Sequence, residues 1–338
     1  MQRILIIGST GAMGSSVIRA LIADQSRDCH VLAMTRNPSS DQAKQLVELD
    51  KQRIELVKGD LDDEQSVEAA MKDVDAVFCN TAFFASGSVD GERAHAHGAI
   101  NAARRAGVDH FVYASLDPAS RLSGGQCCVP HYDAKASVEA DIDYHRSDEF
   151  MRQIEDGWFS NHVSVLVTCP YIENFYDFFT PDDGELPDGR LGKIFRGPIV
   201  GDGIWQMVAL ADLGYFARMM LCDGRRPVVD HRKTWGGRTL RIASEEATLP
   251  EIVQTFEAVT GIPAAYQPMT EQEFLDSGLP NAHDPLNNML MYRDGFFERR
   301  DFDELRTLHP GLRSFRQWLQ ETGWRGEARS MRKNPATG

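Results

Sequence analysis

No run of apolar residues approaches the roughly 18 to 20 that a membrane-spanning helix needs. The longest candidate, 207–221, is interrupted by Asp212 and Arg218. Signal-peptide architecture is also missing at the N-terminus, where the hydrophobic stretch is only strand-sized and ends in glycine. Both absences predict a cytoplasmic chain that makes no membrane contact. The six cysteines form no Cys-x-x-Cys pair and show no zinc spacing, so they read as reduced thiols and no metal site is expected. The adjacent Cys127 and Cys128 read as two polarisable loop residues, with a redox switch as the alternative. Basic charge is scarce: 36 Lys and Arg against 50 Asp and Glu give a net charge of −14. That balance argues against a surface for nucleic acid, which needs a basic face. No internal repeat is present. What remains is a chain of 338 residues, 42% hydrophobic and 25% charged, as expected of a globular protein with a substantial core.

The most informative stretch stands at the beginning. Ile4-Leu5-Ile6-Ile7 run straight into Gly8-Ser9-Thr10-Gly11-Ala12-Met13-Gly14, and Val17, Ile18 and Leu21 follow at helical spacing. The pattern predicts strand, turn and helix. In that reading Gly8 turns the chain sharply out of the strand, Gly11 lets backbone approach a diphosphate, and Gly14 lets the helix pack closely. The phosphates would sit on the helix N-terminus. Gly-x-x-Gly-x-x-Gly is weak evidence alone and gains weight from its place at the start of a βαβ unit. The alternative is that the three glycines serve packing only.

The strand-like segments 30–35, 53–58, 74–79, 110–115 and 163–168 follow, with helical patterns between them. Six strands alternating with helices predict an α/β fold, a doubly wound parallel Rossmann sheet with right-handed crossovers. Arg36 stands at the end of the second strand, about 20 residues past the last glycine, where an acid would bind the ribose hydroxyls of NAD and an arginine suits a 2′-phosphate. No acid occupies that strand end, so the pattern points to NADP(H); a merely solvated Arg36 is the alternative. Asp60, after the third strand, reads either as an adenine neighbour or as a turn or N-cap aspartate. One helix is expected over 91–106; its His95 and His97, two apart, point to different sides and do not make a metal pair.

From Pro170 the chain becomes turn-rich. We expect a Rossmann domain over 1–170, a smaller C-terminal α/β lobe over 171–325 for substrate or partner, and a flexible tail over 326–338. Tyr171, Phe175, Tyr176, Phe178, Phe179 and Trp205 are candidates to line a pocket there, with core packing as the alternative.

Chemistry centres on Lys135. In short-chain dehydrogenases a tyrosine four residues before a helical lysine transfers the proton, while the lysine holds the ribose. Here that position is His131, and Tyr132 is rotated by roughly 100 degrees around the helix. Either His131 replaces the tyrosine as proton donor, or Lys135 keeps only its ribose role and His131 is a polar wall residue. Ser115, at the carboxyl edge of the sheet, is a further candidate for polarising a substrate.

Gly8-x-x-Gly11-x-x-Gly14, Thr35-Arg36-Asn37-Pro38, Gly59-Asp60-Leu61, Val129 to Lys135 (VPHYDAK), Pro170 to Phe175 (PYIENF) and Ala211-Asp212-Leu213-Gly214 together resemble the NmrA-like branch of the atypical short-chain dehydrogenases. The similarity continues through Tyr266 to Thr270 (YQPMT) and Gln317-Trp318-Leu319. It implies NADP(H) as cofactor. Carried over residue by residue, it implies that Gly8, Thr10, Gly11, Met13 and Gly14 contact the diphosphate, Arg36 the 2′-phosphate, and Asp60 with Leu61 the adenine. Thr81, Lys135 and Tyr171 would surround the nicotinamide riboside. The family implies two kinds of function: reductases of small molecules, many in specialised metabolism, and redox sensors that bind NADP(H) and control a protein partner. The missing tyrosine is shared with the sensors, which would also admit a nuclear location.

Overall fold

A computed structural model describes residues 1–199, 202–223, 235–279 and 281–330. They divide into two compact units: residues 1–116, 131–168, 213–223 and 235–241 in one, and 117–130, 169–199, 202–212, 242–279 and 281–330 in the other.

The first unit follows the alternation read from the sequence: β1 (Gln2–Ile7), α1 (Ala12–Ala23), β2 (Cys29–Thr35), α2 (Asp41–Val47), β3 (Ile54–Lys58), α3 (Glu64–Ala70), β4 (Ala76–Cys79), α4 (Phe83–Ser86), α5 (Val89–Ala106) and β5 (His110–Ser115). After α6 (Ala119–Leu122), which lies in the second unit, come α7 (Pro130–Met151), α8 (Trp158–His162) and β6 (Val163–Val167). A short seventh strand, Thr239–Arg241, pairs with β6. Every pairing in this sheet is parallel. The order is Thr239–Arg241, β6, β5, β4, β1, β2, β3.

Parallel strands covered on both faces read as unbroken apolar runs, and Ile4, Leu5, Ile6 and Ile7 are all at most 1% exposed. Each such side chain contributes about 1.5–3 kcal/mol by leaving water. On one face Val67, Ala96, Ala99, Ile100, Ala103, Val138 and Ile142 of α3, α5 and α7 join Leu5, Val77 and Phe111 in one core. The helix Leu210–Cys222 lies close on α1: a Cβ on Gly214 would come within 2.5 Å of the Ser16 carbonyl oxygen. Helix α5 starts at Val89 rather than 91, because the Ser88 hydroxyl caps it by accepting from the Gly91 amide at 3.0 Å. His95 reaches Asp62 at 2.7 Å and His97 reaches Asp141 at 3.0 Å, so the two rings serve different neighbours.

Strand order reverses between β1 and β4, which leave the sheet side by side. In an open α/β sheet this is where the carboxyl ends of two strands part and leave a crevice for a ligand. The site described below is built on Gly8 and Asn80, the residues that follow those two strands.

The second unit contains a three-stranded sheet, in which Leu191–Gly197 pairs antiparallel with Asp182–Glu185 and parallel with Ala264–Pro268. It also contains an antiparallel pair, Ile204–Met207 with Glu245–Thr248. Phe175, Tyr176 and Trp205 are buried, and Phe175 packs edge-on or tilted against Phe195, Trp205, Phe315 and Trp324. These rings form core rather than pocket wall, whereas Phe178 is exposed. Of the tail expected over 326–338, residues 331–338 lie outside the described residues; Arg329 donates its amide to the Tyr176 carbonyl at 2.8 Å.

Candidate active site

Gly8 takes φ +80°, a conformation that costs a side-chain-bearing residue strain, and a Cβ there would lie 2.5 Å from the Asn80 carbonyl oxygen. The Gly11 amide closes the turn by donating to the Gly8 carbonyl at 3.1 Å. A Cβ on Gly14 would sit 2.2 Å from the same oxygen. Gly14 thus lets α1 press onto the turn itself, not only onto the strand. Ser9 is buried and ties the turn to the end of β2 by donating its hydroxyl to the Met34 carbonyl at 2.7 Å. Gly11 is the N-cap of α1 and no side chain caps it, so the first-turn amides are left for an external acceptor. Thr10 is half-buried on the turn, and the Met13 side chain is buried.

Arg36 follows β2 and is exposed; among the described residues no carboxylate pairs with it. Asp60 is a turn residue: its Oδ1 accepts from the Asp62 amide at 3.2 Å, while the N-cap of α3 is Asp63. Leu61 packs against the core of the unit.

Lys135 and Thr81 are brought together. The Lys135 ammonium donates to the Thr81 carbonyl at 2.8 Å and to its hydroxyl at 2.9 Å, lies 3.4 Å from Asn80 Oδ1, and pairs with Glu92 at 2.6 Å. Behind this cluster burial pushes the Cys79 thiol up to about 12 and the Tyr113 hydroxyl well above its ordinary range, the nearby Glu92 carboxylate adding to the latter. His131, one turn before Lys135, is half-buried beside Phe83 and Phe84 of α4, with ring centres 6.2 and 5.5 Å away. Tyr132 is 2% exposed. The His131 ring also meets the Tyr132 ring edge-on, with centres 4.8 Å apart.

Ser115 is not part of this group. It is fully buried, and its hydroxyl donates to Glu139 Oε2 at 2.8 Å; Glu139 is in turn paired with Arg241 at 3.0 Å. Tyr171 belongs to the second unit, where its neighbours Pro170 and Ile172 exchange backbone hydrogen bonds with Val208, and burial pushes its hydroxyl up. Glu92 and Ser9 belong to this candidate site and were not singled out by motif reading, whereas Asn80 and Thr81 were expected at the ligand-binding edge after the fourth strand. Among the described residues no cluster of ligands suited to a metal ion occurs, and no helix is long and apolar enough to cross a membrane.

The NmrA-like family model matches residues 1–308. The chain belongs to the NmrA-like family. A relative in Aspergillus hancockii, an NmrA-like family domain-containing oxidoreductase, is 27% identical over 83% of this chain and 79% of its own length. An NmrA-like family domain-containing protein of Dictyostelium discoideum is also 27% identical, over 79% of this chain and 80% of its own. Among solved structures, NmrA, a negative transcriptional regulator in complex with NADP, superposes with a TM-score of 0.70 at 19% identity over 95% of this chain and 94% of that one. The Citrobacter sp. triphenylmethane reductase complexed with NADP(H) gives 0.67 at 18% identity, over 95% and 99%. These likenesses agree with the Rossmann architecture.

Proposed function

We propose that this NmrA-like protein is an NADP(H)-dependent oxidoreductase acting on a small organic carbonyl, imine or activated alkene. The observation that carries the reading is the cradle at the β1–α1 turn. Side chains are barred at positions 8 and 14 by contacts of 2.5 and 2.2 Å, and α1 begins without a side-chain cap. Such a surface of bare backbone amides fits a diphosphate. The exposed guanidinium of Arg36, without a carboxylate partner among the described residues, fits the 2′-phosphate that distinguishes NADP(H) from NAD(H). Relatives named as oxidoreductases and neighbours solved with NADP(H) support the same choice.

When bound, the nicotinamide supplies or accepts the hydride. Lys135 holds the ribose, and Thr81 and Asn80 fix the lysine. His131 provides the proton to the reduced substrate; since its Nδ1 is buried, the transfer is assigned to Nε2. Phe83 and Phe84 pack beside the His131 ring. Ser115 is assigned to fastening α7 to β5 through Glu139.

The second reading, an NADPH/NADP⁺ sensor acting on a protein partner, is favoured by the histidine at position 131 and by an ammonium already paired with Glu92. One experiment separates the two: NADPH oxidation by the purified chain over a panel of carbonyls, imines and quinones. Turnover above background that falls about 10²- to 10⁴-fold in His131→Ala supports the enzyme. No turnover, together with partner capture that changes with NADPH, supports the sensor.

A further inference from the structure

Glu92 is a carboxylate with no exposure, on the inner stripe of α5 that otherwise carries Ala96, Ala99, Ile100 and Ala103. Its Oε1 lies 2.6 Å from Lys135 Nζ and accepts the Thr81 hydroxyl proton at 2.5 Å. The ammonium also donates to the Thr81 carbonyl and hydroxyl and lies 3.4 Å from Asn80 Oδ1, so Glu92 is the one charged partner in contact with it among the described residues. Glu139, one turn along α7, is paired with Arg241 at 3.0 Å; the other ionisable groups near the lysine, Cys79 on β4 and Tyr113 on β5, are both kept protonated near neutral pH by burial. Neither carries charge to balance an ammonium that is itself only 7% exposed. That leaves Glu92. Its second oxygen, Oε2, is buried without a hydrogen-bond partner among the described residues. An unsatisfied buried carboxylate oxygen is a costly choice for packing alone and is explained if the negative charge itself is needed.

We propose that Glu92 is a positioning residue for the cofactor: it holds the Lys135 ammonium at the carboxyl end of β4, in the place from which the lysine meets the nicotinamide ribose. The proposal rests on the reading of this site as an NADP(H) site. Without the carboxylate, a cation among a buried thiol, a buried phenol and a threonine has no counter-charge. It is driven to swing toward water, because burying an unpaired charge is far costlier than burying a paired one. The effect is therefore local to one end of the dinucleotide.

The experiment uses the full chain and two titrants: NADPH, and adenosine 2′,5′-bisphosphate, which lacks the nicotinamide mononucleotide half. Glu92→Gln is expected to weaken NADPH about tenfold while changing the bisphosphate by less than about twofold. Lys135→Met is expected to weaken NADPH similarly, and the double variant no further, since Glu92 acts through the lysine. Glu92→Asp, which keeps the charge but shortens its reach, should fall between wild type and Glu92→Gln. If Glu92→Gln does not fold, Glu92→Asp carries the test by the same comparison. Wild-type affinity in Glu92→Gln, equal loss of both titrants, or a second full loss when Glu92→Gln is added to Lys135→Met each overturns the proposal. A wild-type chain that binds neither titrant rejects the nucleotide site itself, an outcome distinct from a bound wild type with an indifferent Glu92.

Discussion

At the residue scale, one oxygen atom organises the cradle. The Gly8 carbonyl accepts the Gly11 amide and lies 2.2 Å from where a Gly14 Cβ would be. Gly14→Ala must push α1 off the turn, an overpacking cost of about 1–3 kcal/mol. The expected outcome is a lower melting temperature together with loss of measurable NADPH binding; unchanged binding would mean that the turn does not hold the diphosphate. Arg36 tests a different group. Arg36→Ala should weaken NADPH about 10- to 100-fold, as loss of charge-assisted contacts to one phosphate, and leave NADH unchanged. Titration of both cofactors against both proteins gives the ratio. The close-packed turn at Gly8 and Gly14 was legible in the sequence, because what glycine permits follows from residue type and position. Glu92 was not, since helical spacing relates Lys135 only to residues of α7, whereas its partner comes from α5. A signal existed: a carboxylate in register with Ala96, Ala99 and Ala103 on an apolar stripe needs a partner.

At the element scale, six strands were recoverable from continuous apolar runs. The seventh, Thr239–Arg241, was not, because three residues with one buried side chain give no periodicity to read. The short 3₁₀ helix Ile172–Tyr176 shows how an element can hold a titrating group. Glu173 accepts from Trp318 Nε1 at 3.0 Å and from the Leu210 amide at 3.1 Å, yet burial raises its carboxyl to about 7. The folded state therefore prefers the protonated acid. Its stabilising contribution is complete below the ordinary carboxylate value of 4.5 and disappears as pH rises through about 7. The shift corresponds to about 3 kcal/mol. Glu173→Gln, neutral at every pH, should melt near wild type at pH 4.5 and gain an advantage that grows up to about pH 7 and then levels off. A melting difference that does not vary with pH would contradict the assignment.

At the scale of the whole molecule, the order of the parallel sheet reverses between β1 and β4, which is where an open α/β sheet leaves a crevice for a ligand, and the chain belongs to the NmrA-like family. A ligand that binds only the folded chain stabilises it by about 2.7 kcal/mol at a hundredfold excess over its dissociation constant. NADPH should therefore raise the melting temperature more than NADH does at equal concentration. The most direct measurement is calorimetric titration of the wild-type chain with NADPH. The account predicts a saturable heat with one dinucleotide per chain, largely lost in Gly14→Ala and reduced in Arg36→Ala. No heat of association with either the reduced or the oxidised dinucleotide would contradict it.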